Sequence, residues 1–309
     1  MSKEIEAKLA KIPLINILVD ILKRLRLPGF EGLSIYDLLE MYFVGIVRGA
    51  LTYRASAISF SFFMAIFPFL LFLLNLIPYV PIDGFQTDFL NFVDSLLPPK
   101  TVEFFDGIIS DIIGNRRASL LSSVFFLSIL LMANGINAVF GGFETSYHVR
   151  ITRNVVKQYF VSLGVALLLA LLFLFAVIVY VYLQFLTQFA GTPVVEGVER
   201  DNLVGVRIGK FFFFVMISYV TTAVLYYFGT KEGKESRFFS PGALLTTILI
   251  ILNTYLFGIY IENFSQYNEI YGSIGALLIL MLYIWLNSSI LLLGFELNAS
   301  LRSLRRNNY

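Results

Sequence analysis

The chain has no cysteine, one histidine and one tryptophan, and only 14% of its 309 residues are charged. Without cysteine there are no disulfides, thiolate metal sites, cysteine nucleophiles or iron–sulfur clusters. A lone histidine, His148 in TSYHVR, and acids scattered along the chain give little material for a metal-dependent hydrolase, which needs several such ligands converging on one point. Zinc motif, Walker loop, dinucleotide fingerprint and nucleophile elbow are all missing, so primary ATP-driven transport by this chain alone is excluded. No catalytic residue, metal, cofactor or nucleic-acid partner is expected. The scarcity of charge also excludes an ordinary soluble domain, which carries about 25% charged residues. Disorder is excluded by the 32 Phe and 17 Tyr.

What is present is apolar sequence: 58% of residues are hydrophobic and the mean hydropathy is +0.79. A helix needs about 20 apolar residues to cross the hydrocarbon. Six runs free of Asp, Glu, Lys and Arg reach that length: Ala55 to Ile77, Ala118 to Phe143, Gln158 to Val195, Phe211 to Thr230, Phe238 to Ile261 and Ile270 to Phe295. A membrane barrel would instead show segments of about 10 residues alternating polar and apolar. The fold class is therefore all-α, a polytopic membrane protein with six transmembrane helices plus amphipathic interfacial helices. Of the 23 Lys and Arg, 17 fall on the side of the termini and 6 on the other. Basic residues stay preferentially inside, so both termini are expected on the cytoplasmic side. The near-neutral total of +2 thus divides into +7 inside and −5 outside.

Three segments follow: a cytoplasmic stretch 1–33, the membrane domain 34–299, and a basic cytoplasmic tail 300–309. The opening MSKEIEAKLAKIP lacks the continuous apolar core of a signal peptide. From Ser34, residues Ile35, Leu38, Leu39, Tyr42, Ile46 and Ala50 recur at helical spacing. This is either an amphipathic helix on the inner surface or a helix packed beneath the bundle. The external segment 78–117 is too long for a bare connector and carries two amphipathic patterns separated by Pro98-Pro99.

Polar groups within the spans are the natural functional candidates, because the hydrocarbon makes them costly. Asn134, Asn137 and Asn287, with Asn75 and Asn253, lie in apolar runs, where amides either bond neighbouring helices or line a polar path. Pro68 removes a backbone hydrogen bond mid-span and predicts a kink or break. Trp285 is placed for packing between helices, and Gly272, Ser273, Gly275 and Ala276 for close backbone approach. His148 is expected to be solvated at the interface. Finally, Gly142-Phe143-Glu144 ends the second span and Gly294-Phe295-Glu296 the sixth, both running outside to inside. Either this is chance, or two carboxylates at one depth, neutralised by Arg54, Arg150 or Arg153, form an inner gate or headgroup site.

Three stretches carry a resemblance: LTYRASAISFSFFMAIFPFLLFL, INAVFGGFETSYHVR, and YGSIGALLILMLYIWLNSSILLLGFELNAS. From about Tyr36 to Ala299 the chain resembles the YihY/BrkB family of bacterial inner-membrane proteins. The block from Tyr271-Gly272-Ser273 to Glu296-Leu297-Asn298-Ala299 is the most specific part. Where the family would carry a tryptophan after the second span, this chain has Tyr147-His148. The resemblance implies six spans in the inner (cytoplasmic) membrane of a bacterium. The labels attached to the family, ribonuclease BN and virulence factor, sit beside a suspected role in moving lipids or lipid-linked precursors. The leading expectation is a transporter or lipid-translocating protein without its own ATPase, acting among membrane lipids on an amphiphilic or anionic substrate, with a homo-oligomer plausible. A non-transporting envelope scaffold is the alternative, and a membrane-bound ribonuclease is disfavoured.

Overall fold

The computed structural model describes residues 23–24, 34–76, 118–149, 152–190, 199–235, 237–263 and 273–307. The external segment 78–117 and most of 1–33 lie outside the described residues. Among the described residues there are seven long helices: α1 (Ile35–Arg48), α2 (Leu51–Leu76), α3 (Ala118–Glu144), α4 (Val155–Ala190), α5 (Glu199–Gly229), α6 (Pro241–Asn263) and α7 (Ser273–Asn307). The chain is an all-α polytopic membrane protein. Among the described residues five helices, α3 to α7, are long and apolar enough to cross a membrane. The 26 residues of α2 span about 39 Å at 1.5 Å per residue, so it too has the length to cross.

Helices α2 to α7 form a closed ring in chain order. Each packs on the next, and α7 returns to α2. Contacts at one end fix the directions: Arg54 near the start of α2 reaches Gly142 near the end of α3, Arg153 just before α4 reaches Phe228 near the end of α5, and Gly242 at the start of α6 meets Asn298 on the last turns of α7, so α2, α4 and α6 begin at the basic end where α3, α5 and α7 arrive. Outward faces carry Leu171, Phe175, Ile178, Phe212, Leu252 and Tyr255, all exposed, as a hydrocarbon solvent permits. The core is concentrated at the basic end, around Ile58, Val139, Phe140, Phe143, Leu292 and Phe295.

Local chemistry sets the entries and exits at that end. Asn154 caps α4, its Oδ1 accepting from Val156 N at 3.2 Å. Ser240 caps α6, its Oγ accepting from Ala243 N at 3.3 Å, and Pro241 follows at the first helical position, where a missing N–H costs nothing. Between α1 and α2, Ala50 adopts φ 48°, a left-handed conformation that a residue with a Cβ rarely takes. Its carbonyl accepts from Tyr53 N and Arg54 N, so this tight turn sets where Arg54 emerges.

Three features add to this picture. Helix α2 runs unbroken through Pro68, and Ser128 of α3 donates to the Pro68 carbonyl, tying the two helices together. α7 continues past Ala299 to Asn307 with Leu301 and Ser303 buried, so residues 300–307 extend the last helix. α1 packs chiefly against α7, at the foot of the bundle.

Candidate functional site

The two Gly-Phe-Glu triplets meet. Phe143 of α3 and Phe295 of α7 stack at 4.2 Å between centroids with 7° between planes. Tyr226 of α5 presents its edge to both, at 5.5 and 5.9 Å. Three alternate helices therefore fill the middle of the ring at its basic end with a buried aromatic plug. The Tyr226 hydroxyl donates to the Leu291 carbonyl at 2.6 Å and shares a hydrogen bond with Thr246 Oγ1 at 2.5 Å, so its polar end is satisfied.

One triplet glycine, Gly294, lies where α7 meets α6. A Cβ on Gly294 would collide with Thr246 Oγ1, the Gly242 carbonyl and the Tyr226 hydroxyl, and one on Gly242 would collide with the Gly294 carbonyl. Helices α6 and α7 thus cross backbone to backbone. Asn298, one turn beyond Gly294, accepts from Gly242 N at 2.8 Å and donates to Ser240 Oγ at 2.8 Å, adding a second cap to α6.

Each glutamate has an arginine beside it, in different ways. Glu296 is 0% exposed, and Arg54 Nη2 reaches its Oε1 at 2.7 Å while itself only 7% exposed. Ser146 Oγ donates to Oε2 at 2.8 Å. Arg54 Nη1 also donates to the Gly142 carbonyl at 2.9 Å, one of the carbonyls that the end of α3 leaves without an intrahelical partner. Tyr42 on α1 is pushed up to about 12, mainly by burial and secondly by the negative charge of Glu296, so its phenol stays protonated. Four elements (α1, α2, α7 and the turn after α3) therefore converge on one carboxylate.

Glu144 is only partly buried. Its Oε1 accepts from Arg153 N at 3.2 Å. The orientation of Gln158 that satisfies its neighbours directs the amide nitrogen to Oε2 at 2.9 Å. The Arg153 guanidinium turns instead to the end of α5, donating to the Phe228 carbonyl at 2.6 Å and the Thr230 carbonyl at 2.7 Å. Burial pushes Arg153 down from its ordinary value and the nearby Glu144 charge pushes it back up. Both arginines thus close a helix C-terminus, where a cation is favoured by the dipole.

The other candidates are spread out. Arg150 lies outside the described residues. Asn137 is partly buried and its Oδ1 accepts from Ser162 Oγ on α4 at 3.5 Å, whereas Asn134 is exposed. Asn287 donates to the Tyr283 carbonyl at 2.9 Å. Its Oδ1, like Asn253 Nδ2 and Arg54 Nε, is buried without a hydrogen-bond partner. His148, expected in solvent, is 7% exposed. The turn after α3 folds beneath the bundle because Ser146 is drawn to Glu296, and the same Ser146 Oγ accepts from His148 N at 3.4 Å. Ser146, Tyr226, Thr246, Ser240 and Asn298 were not singled out as site residues on sequence grounds. Only the Ser-Pro-Gly helix start at Ser240 left a local signal.

Residues 43–308 match the family model described as virulence factor BrkB. The chain belongs to the BrkB family. Its relatives include a putative ribonuclease-like protein, YfkH, of Bacillus subtilis, 25% identical over 258 residues that make up 82% of this chain and 90% of that protein. A UPF0761 membrane protein of Coxiella burnetii is 24% identical over 78% of this chain and 84% of its own length. A UPF0761 membrane protein of Xanthomonas campestris is 36% identical over a shorter stretch, 29% of this chain and 21% of its own. No solved structure matches. Among the described residues of this BrkB-family chain, no group of three or more His, Cys, Asp or Glu is placed to hold a metal ion.

Proposed function

We propose that this chain moves an anionic amphiphile, a lipid or lipid-linked molecule, across the bacterial cytoplasmic membrane without an ATPase of its own. The observation that carries the reading is the plug. A six-helix ring is closed at its basic end by Phe143, Tyr226 and Phe295, and the closure is tied to one buried ion pair, Arg54 with Glu296. A buried ion pair next to the membrane interior is costly to build and weak as a source of stability. Such pairs in membrane helices commonly mark pathways. The buried, unpartnered amide atoms of Asn253 and Asn287 further up the α6–α7 seam fit a path that can take up polar groups. In this reading the basic end faces the cytoplasm, by the distribution of Lys and Arg, and the plug is an inner gate in its closed position.

The second reading is a non-transporting envelope scaffold, favoured by how completely the plug is packed. Liposomes separate the two. Purified protein reconstituted with a fluorescent phosphatidylglycerol should speed its exchange between leaflets. A scaffold would leave exchange at the protein-free rate and co-purify with an envelope partner. Cleavage of RNA on adding a divalent metal would replace both readings with the activity named for the Bacillus relative.

A further inference from the structure

Beside the plug, on the flank of the ring, a cleft of about 650 Å³ opens between the start of α4 and the end of α5. That is within the range of small-molecule sites. Its mouth carries four cations: Arg153 from the connection, Lys157 from the first turn of α4, and Lys231 and Lys234 from the short turn after α5. The guanidinium of Arg153 is held in place by two carbonyls, which orient it without cancelling its charge. Lys157, Lys231 and Lys234 are exposed. Lys234 lies over the Phe228 ring at 5.9 Å. Of the acids beside these cations, Glu144 accepts from Arg153 N and Gln158, and Glu232, between the two lysines of the turn, is buried.

Below the cations the lining changes character. Val161, Val165 and Leu168 form a stripe along one face of α4, and Phe228 faces them from α5. Gly164 leaves a gap in that wall, since a Cβ there would meet nothing within 4 Å. The apolar lengths of the two helices end here, α4 beginning at Val155 and α5 closing at Gly229; with those lengths in the hydrocarbon, the cations stand at headgroup level and the stripe below them. Ordinary positive-inside bias accounts for basic residues at this end. It does not account for four of them around one cleft with an apolar floor.

We infer that this cleft binds a phosphate-bearing lipid of the inner leaflet, its headgroup among Arg153, Lys157, Lys231 and Lys234 and the start of its acyl chain along Val161, Val165 and Leu168. Basic recesses between membrane helices bind anionic headgroups in this way. The site stands apart from the plug and holds whether or not the chain moves lipid.

The test is thermal melting of the purified full chain in a neutral detergent, titrated with dioleoyl phosphatidylglycerol, dioleoyl phosphatidylcholine or inorganic phosphate. Phosphatidylglycerol should raise the melting temperature saturably, and phosphatidylcholine and phosphate should not. The triple variant Lys157→Gln/Lys231→Gln/Lys234→Gln, altering exposed side chains, should melt like the parent without lipid and need at least about tenfold more phosphatidylglycerol for half-saturation, each lysine being worth roughly fivefold. Gly164→Leu, which fills the apolar gap and leaves every charge in place, should also weaken the lipid effect. Equal effects of the two lipids, or an unchanged response in both variants, would overturn the site. Inorganic phosphate stabilising as well as phosphatidylglycerol would show a soluble anion site and overturn the lipid assignment.

Discussion

Glu144 and Glu296 end the same three-residue phrase at the same end of the ring, yet their surroundings differ. Glu296 is wholly enclosed and meets a guanidinium and a hydroxyl directly. Glu144 meets a backbone N–H and an amide, and its arginine turns to other acceptors. The difference follows from position. α7 continues 11 residues past Glu296 to Asn307, with α1 and the turn after α3 folded around it, while Glu144 is the last residue of its helix and faces the connection. A carboxylate in the first setting is neutralised by one specific cation from far along the chain. In the second, local backbone donors suffice.

The sharpest way to break this contrast is to remove the partners. Arg54→Ala or Glu296→Ala leaves an unpaired buried charge and should cost about 3–5 kcal/mol, read as a large fall in melting temperature or failure to accumulate. The double apolar replacement Arg54→Met/Glu296→Leu should recover most of that loss. Next in size is Gly294→Ala, whose methyl would meet the Gly242 carbonyl and the Thr246 and Tyr226 hydroxyls, for a loss of roughly 1–3 kcal/mol. Gly258→Ala, where a Cβ meets nothing within 4 Å, is its control and should be neutral or slightly stabilising. Asn298→Ala removes the second cap of α6, and a loss of about 1 kcal/mol by thermal melting is expected. Smallest is Glu144→Gln, which still offers an oxygen to Arg153 N and should cost less than about 1 kcal/mol. Were it as damaging as Glu296→Ala, the two carboxylates would be equivalent and the contrast would fail.

The membrane-crossing helices were legible in the sequence because a hydrocarbon solvent tolerates almost no unpaired charge, so a span stands out as a charge-free run. The arginines and glutamates of the site were legible for the related reason that they mark the edges of those runs. Which arginine meets which glutamate was not legible. Arg54 and Glu296 are 242 positions apart, and no local pattern encodes the ring order that joins α7 to α2. Ser146 and Asn298 were hidden in the same way, since a serine or asparagine near a helix end looks alike whether it faces water or a buried partner. Burial of His148 was missed because it depends on the turn after α3 being drawn under the bundle by Ser146.

In the function proposed above, the plug held by Arg54 and Glu296 closes a path for lipid. Its most direct test is leaflet exchange of fluorescent phosphatidylglycerol in liposomes, followed by dithionite quenching, for the parent chain and for the folded Arg54→Met/Glu296→Leu variant. The account predicts quenching beyond the outer-leaflet half with the parent chain, and faster with the variant. Quenching that stops at the outer leaflet for both proteins, as in protein-free vesicles, would contradict it.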